Sequence, residues 1–351
     1  MKKRLSILLV LVMLGTLFVG CNKGNSGDTG NNGGEKTYSW KFVHEEAPGS
    51  LEDHYAQKFK ELIEAKSEGK IKVQVFPVGQ LGDGSNQVEL LQNGGVEFAL
   101  NCPGATATIV PEANIFNVHF LLPGDNAQCR EVLNTSPTIK NYINKAYYDQ
   151  NMQVLDWVTE GYMMWTGNRK ITSPADMKGF KIRTMASPMI AAMYEAYGAN
   201  PTPVPYMEVY SSLQLKMIDG QVNPLFAIEE MKFYEVQDYL MLSKQDVFVF
   251  TFCSNKAYWE SLPADVQDLV KEVAAECNQY LFEVAEQINN ERLQKMKDTS
   301  DIQVVELTEE QIDVFRQASL PAREKFYQLG GPNAKAILEG LVKDVEDVVG
   351  K

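Results

Sequence analysis

The sequence predicts an α/β protein made of two α/β units, joined by crossing strands and braced by one long helix. Three observations predict it. Strand-like and helix-like segments alternate over residues 38–101, the pattern of a parallel sheet. The alternation starts again after residue 151. A run from Pro263 to Thr299 then keeps helical spacing with no glycine and no further proline. At 351 residues the chain is long enough for two domains with ordinary cores.

The elements follow in order. Residues 1–20 have a basic start, Lys2, Lys3 and Arg4, and then an apolar core too short to span a membrane. They read as a secretory signal peptide. The apolar core ends in LFVGC, a lipobox-like site with Cys21 as the residue to be lipidated. Residues 21–36 are rich in Gly, Asn and Ser, the composition of a flexible tether. Alternating Tyr38, Trp40 and Phe42 predict a first strand. Leu51, Tyr55, Phe59 and Leu62 predict a helix, and Ile71, Val73 and Val75 a second strand. SNQVELLQNGG reads as a helix stopped by glycine, and VEFALNCPG as a third strand.

In the second unit, MQVLDWVTEGYMMWTG reads as strands, and FKIRTM as a strand after a short helix. A proline-rich stretch, GANPTPVPYMEVYSSLQ, leads through a helix to DGQVNPL. DYLMLSKQDVFVFTFCSN is one long strand-like run that crosses between units. Proline at the first turn favours a helix from Pro263. If unbroken, it reaches about 55 Å at ~1.5 Å per residue; a break midway stays open. The expected division is 37–160 plus 249–288 for the first domain and 161–248 plus 289–351 for the second.

Composition narrows the function. The net charge of −13 speaks against a phosphate-binding surface, so no nucleic-acid partner is expected. A soluble monomer is expected. His44, His54 and His119 fit no metal motif, and no nucleotide loop or nucleophile elbow is present, so neither a metal nor another cofactor is expected. Carboxylates are many, but no spacing singles out a catalytic pair. Cys102, Cys129, Cys253 and Cys277 lack C-x-x-C spacing and read as buried thiols, with a disulfide left open.

GKIKVQVFPVGQLGD, DMKGFKIRTMASP, GANPTPVPYMEVYSSLQ and DGQVNPL together resemble the substrate-binding proteins of tripartite ATP-independent periplasmic (TRAP) transporters, the DctP family. The resemblance runs from about residue 37 to the C-terminus. It implies a two-lobe periplasmic-binding-protein-like fold that closes on a small organic acid, with no catalysis. It makes Arg183 a carboxylate clamp, a task for which the planar guanidinium fork is suited. It places Asn223 as a ligand donor and Tyr206 as a pocket wall. The prolines at 201, 203, 205 and 224 then stiffen the rim of a preorganised site.

Departures from the family pattern bear on the ligand. Met163 stands where many relatives have a second arginine, and Trp165 follows it. Val222 replaces an acid. His44, Glu45 and Cys102 occupy positions that are often polar ligand contacts, and Lys244 lies near the pocket by analogy. One carboxylate and an apolar or aromatic part are expected in the ligand, walled by Met163, Trp165 and Tyr206, with Glu45 facing an ammonium. The implied partners are TRAP membrane subunits and, through a lipid on Cys21, the outer face of the membrane. A binding protein that feeds a membrane sensor is the alternative, with an extracytoplasmic hydrolase behind it.

Overall fold

The computed structural model describes residues 36–350. The expected signal peptide, Cys21 and the tether up to residue 35 lie outside the described residues. Ten strands form the scaffold: β1 (Tyr38–Val43), β2 (Ile71–Phe76), β3 (Phe98–Asn101), β4 (Met152–Gly167), β5 (Lys181–Thr184), β6 (Asn200–Pro203), β7 (Gly220–Pro224), β8 (Tyr239–Leu242), β9 (Val247–Asn255) and β10 (Gln303–Glu306). They run in the order β2-β1-β3-β9-β4-β7-β5-β6, with β10 on β8 and β8 on β4. Outer pairs such as β1/β2 and β5/β6 are parallel. The central pairs β3/β9, β4/β9 and β4/β7 are antiparallel.

β4 joins the two halves. Its 16 residues pair first with β9 and then with β7 and β8. Two register shifts, at Val154/Asp156 and Thr159/Gly161, bend it. The expected single run over DYLMLSKQDVFVFTFCSN is instead two strands, β8 and β9. Lys244 has φ +48°, a left-handed backbone that ends a strand.

The helix from Ala264 to Thr299 is unbroken, 36 residues long. It packs on Leu51–Lys66 and on Leu225–Glu230, so one rigid rod braces both halves. Its buried Val270, Val273, Ala274 and Cys277 join a core of Trp40, Phe42, Phe59, Phe98 and Phe252. Phe98 and Phe252 stack at 5.5 Å. Each such ring buries about 150–250 Å², so this aromatic block is a large part of the first half's core. In the second half, Trp165, Phe315 and Tyr197 form a smaller core. The Ala334–Val349 helix, expected in the second domain, packs on Asn126–Thr135 beside the first. Cys102, Cys129, Cys253 and Cys277 are buried free thiols.

Candidate ligand-binding site

A cavity of about 840 Å³, its open mouth included, lies where the two halves meet. One wall comes from the chain after β1 (Glu45 and Glu46) and from the turn Cys102–Ala105. The other comes from Arg183, the rim Pro203–Tyr206 and Asn223.

Arg183 sits on β5, where only Lys181 is exposed. Alternation puts both cations on one face, but the rim folds over Arg183 and leaves it 3% exposed. Its Nε donates to the Val204 carbonyl at 2.9 Å. The guanidinium carbon stands 5.9 Å from the centre of the Tyr206 ring. Among the described residues, no carboxylate forms an ion pair with it. Burial pulls its pKa down to about 10, so at neutral pH it stays charged. A buried cation without a counter-ion is costly, and the rest of its donor fork is free for an anion.

Glu45 faces it across the cavity. Its Oε1 accepts from the Cys102 amide, and no ion pair joins it to Arg183. Burial raises its carboxyl to about 7, against the lowering effect of the Cys102 hydrogen bonds and, more weakly, of Arg183. Gly84 makes room for this carboxylate: a β-carbon at Gly84 would collide with Glu45 Oε2. Gly104 likewise makes room for Met185, whose sulfur and methyl would stand 2.5 Å from an added β-carbon.

Asn223 closes the far side. The following proline keeps its backbone extended at the end of β7. Its Nδ2 donates to Gln221 Oε1, and Gln221 donates to Thr166 Oγ1 at 3.1 Å, so the amide is held in place from behind. Tyr206 is half-buried and packs edge-on against Phe233 at 6.1 Å. Its hydroxyl is sealed and has no partner.

Arg183, Asn223, Tyr206, Glu45 and Cys102 therefore come together around one space. Four expected residues do not. Trp165 is wholly buried in the second core, where its Nε1 donates to the Tyr194 hydroxyl at 3.0 Å and its ring packs on Phe315. Met163 belongs to that core too and borders only a small neighbouring void. His44 turns inward, with Nε2 3.4 Å from Asp53 Oδ1 and Nδ1 3.8 Å from Glu52 Oε2. Lys244 lies over the Tyr162 ring, away from the cavity. The cavity adds residues that the sequence reading missed: Glu46, Gly84, Met185 and Phe248. Only Gly84 carried a signal, as a glycine at the start of a helix.

A two-sided cavity spanned by long shared strands and lined by ligand-type groups is the arrangement of a solute-binding protein. Residues 42–329 match the family model of bacterial extracellular solute-binding proteins, family 7, the DctP family. The chain belongs to that family, the substrate-binding proteins of TRAP transporters. It is 35% identical over 311 residues to the ectoine-binding periplasmic protein TeaA of Halomonas elongata, covering 88% of this chain and 91% of the relative. It is 28% identical over 306 residues to the C4-dicarboxylate-binding protein DctB of Bacillus subtilis, covering 87% of each. The solved ectoine-binding protein of Halomonas elongata superposes with a TM-score of 0.84 at 34% identity, over 88% of this chain and 99% of that one. A TRAP solute-binding protein of Desulfovibrio salexigens with bound orotic acid gives 0.85 at 26% identity, over 89% and 100%.

Proposed function

We propose that this protein captures a compact zwitterionic organic acid outside the cytoplasm and hands it to the membrane subunits of a TRAP transporter. Arg183 clamps the ligand carboxylate, Asn223 supplies a further hydrogen bond, and Glu45 meets a cationic nitrogen. The single observation that carries this is the buried, unpaired guanidinium of Arg183 in the cavity wall. The apolar part of the ligand rests on Tyr206, Met185 and Phe248, since Trp165 and Met163 belong to the core.

Ectoine has the required chemistry, a carboxylate and a delocalised amidinium on a small ring. Two relatives at 35% and 34% identity are named for binding it. Lipid attachment at Cys21 would hold the protein at the outer face of the membrane. The two lobes close about β4 and β9, and closure presents one continuous surface to the membrane subunits. A ligand drives closure only through its higher affinity for the closed state.

The test is isothermal titration of the mature domain with ectoine, succinate and benzoate. Binding of ectoine that is lost in Arg183→Ala and weakened in Glu45→Gln supports the reading. Tight binding of succinate alone refutes the zwitterion assignment, because its second carboxylate would face Glu45 and Glu46. Ectoine binding that Arg183→Ala leaves intact refutes the clamp.

A further inference from the structure

Behind the stretch of cavity wall formed by Glu46 and Tyr206 lies a largely buried acidic cage. Glu46 enters it from the β1 end, Glu52 from the Leu51–Lys66 helix, Glu160 from β4 and Glu230 from the Leu225–Glu230 helix. Tyr206 reaches it from the rim. These elements come from both halves of the fold.

The cage is short of donors. Glu160 is 0% exposed, and neither of its oxygens meets a donor. Glu52 Oε1, Glu46 Oε2, Glu230 Oε2 and the Tyr206 hydroxyl are also sealed and unpartnered. Two of the acids do meet donors: Glu52 Oε2 takes the Glu45 amide at 2.8 Å, and Glu46 is held by the Ser50 hydroxyl and the Glu52 amide. Cations stay at the edge: Arg292 and Lys295 are paired with Glu229 at 2.7 and 2.5 Å, and Arg183 faces the cavity. His44, Asp53, Glu45 and the Cys102 thiol complete the titratable surroundings.

Acceptors crowded in a water-free space repel one another unless protons supply the missing donors. A protonated carboxyl donates to its neighbour, so a few shared protons turn repulsion into a hydrogen-bonded network. Burial is the main cause that raises Glu46, Glu52 and Glu160 far above ordinary carboxyls, with their mutual repulsion next. Burial likewise lifts Glu230 to about 8.

We propose that this cage is a proton-binding site coupled to solute capture, so that closing the cleft takes up protons. Opening the cleft parts the elements that carry Glu46 and Glu52 from those that carry Glu230 and Tyr206. Water then reaches the carboxyls and part of their ordinary acidity returns, so in the open protein they stay weaker acids than in the unfolded chain and in the closed protein weaker still. Closure removes that water and recruits protons into Glu160 and its neighbours. This coupling rests on the solute-binding reading above; the proton site itself does not.

The experiment has two arms, each with wild type, Glu160→Gln and Glu52→Gln. Glutamine keeps the shape and supplies a permanent N–H donor. In the first arm, ectoine is titrated at pH 8.5 in buffers of different ionisation enthalpy. That pH lies above the Glu45 carboxyl, so Glu45 adds no proton to the balance. Wild type should take up roughly one proton per ectoine, and the variants clearly less. Binding with no buffer dependence in wild type, or with equal uptake in all three proteins, overturns the coupling. In the second arm, melting of the ligand-free protein is followed from pH 6 to 9.5. Wild type should lose stability as the pH rises, and Glu160→Gln should lose markedly less. Parallel curves overturn the proton site. An absence of ectoine heat refutes ectoine as the solute, and the second arm still decides the cage.

Discussion

Arg183→Ala separates a ligand clamp from a structural arginine. The pKa drop from 12.5 to about 10 amounts to ~3 kcal/mol of penalty on the buried cation. Alanine relieves that penalty in the ligand-free protein. It also removes two methylenes of packing, about 1.6 kcal/mol at ~0.8 each. The Val204 carbonyl loses its donor, at a cost of about 1 kcal/mol. Gain and loss cancel to within ~1 kcal/mol, so ligand-free melting should move by only a few degrees. Binding should behave differently. A carboxylate–guanidinium pair closed off from water is worth about 2–5 kcal/mol on truncation. That is about 30-fold to several thousand-fold in Kd. Differential scanning fluorimetry without ligand and calorimetry with ectoine read the two effects on one preparation. A fall in ligand-free melting of ten degrees or more, with Kd unchanged, would refute the reasoning and make Arg183 a structural residue.

Three further outcomes are expected. Ectoine affinity should fall as the pH drops through about 7, because protonation removes the Glu45 charge; Glu45→Gln should flatten this limb in a calorimetric pH series. The sign for stability is opposite: the Glu45 pKa is raised by folding, so its contribution is complete below the ordinary 4.5 and is lost as the pH rises through 7. Gly84→Ala should displace the Glu45 carboxylate while leaving the fold intact, lowering ectoine affinity by about tenfold, or ~1.4 kcal/mol; an unchanged Kd would contradict the close approach. Trp165→Phe should lower stability by about 1–2 kcal/mol in urea, through the lost Tyr194 hydrogen bond and a small void, and leave Kd within twofold.

Some of this was legible in the sequence for plain physical reasons. The brace helix announces itself because helical spacing persists over many turns. Arg183, Tyr206 and Asn223 sit in a stretch stiffened by prolines, where local chemistry and resemblance agree. Met163 and Trp165 were placed at the pocket by resemblance to the family. What holds Trp165 in the core is the Tyr194 hydroxyl and the Phe315 ring, supplied by segments far away in the chain, and no local pattern shows them. His44 and Glu45 are neighbours on extended backbone and so point apart; choosing between them needs the Glu52 and Asp53 partners that hold His44 inward. The acidic cage was invisible because its members come from four separate segments, each unremarkable alone.

The arrangement of charge argues for a zwitterion more strongly than either charged residue does. Arg183 and Glu45 line one cavity, yet no ion pair joins them. Each is held back from the other: Arg183 by the Val204 carbonyl and the Tyr206 ring, Glu45 by the Cys102 amide and the space left at Gly84. Had they collapsed onto one another, a ligand would first have to break that pair. Instead both charges stay fixed and apart, with a gap between them. A molecule with a carboxylate at one end and a cationic nitrogen at the other fits that gap without reorganisation. A dicarboxylate satisfies Arg183 but brings its second charge towards Glu45 and Glu46, and that repulsion excludes it. Among the described residues that line the cavity Arg183 is the one cation, so a second carboxylate finds no partner there.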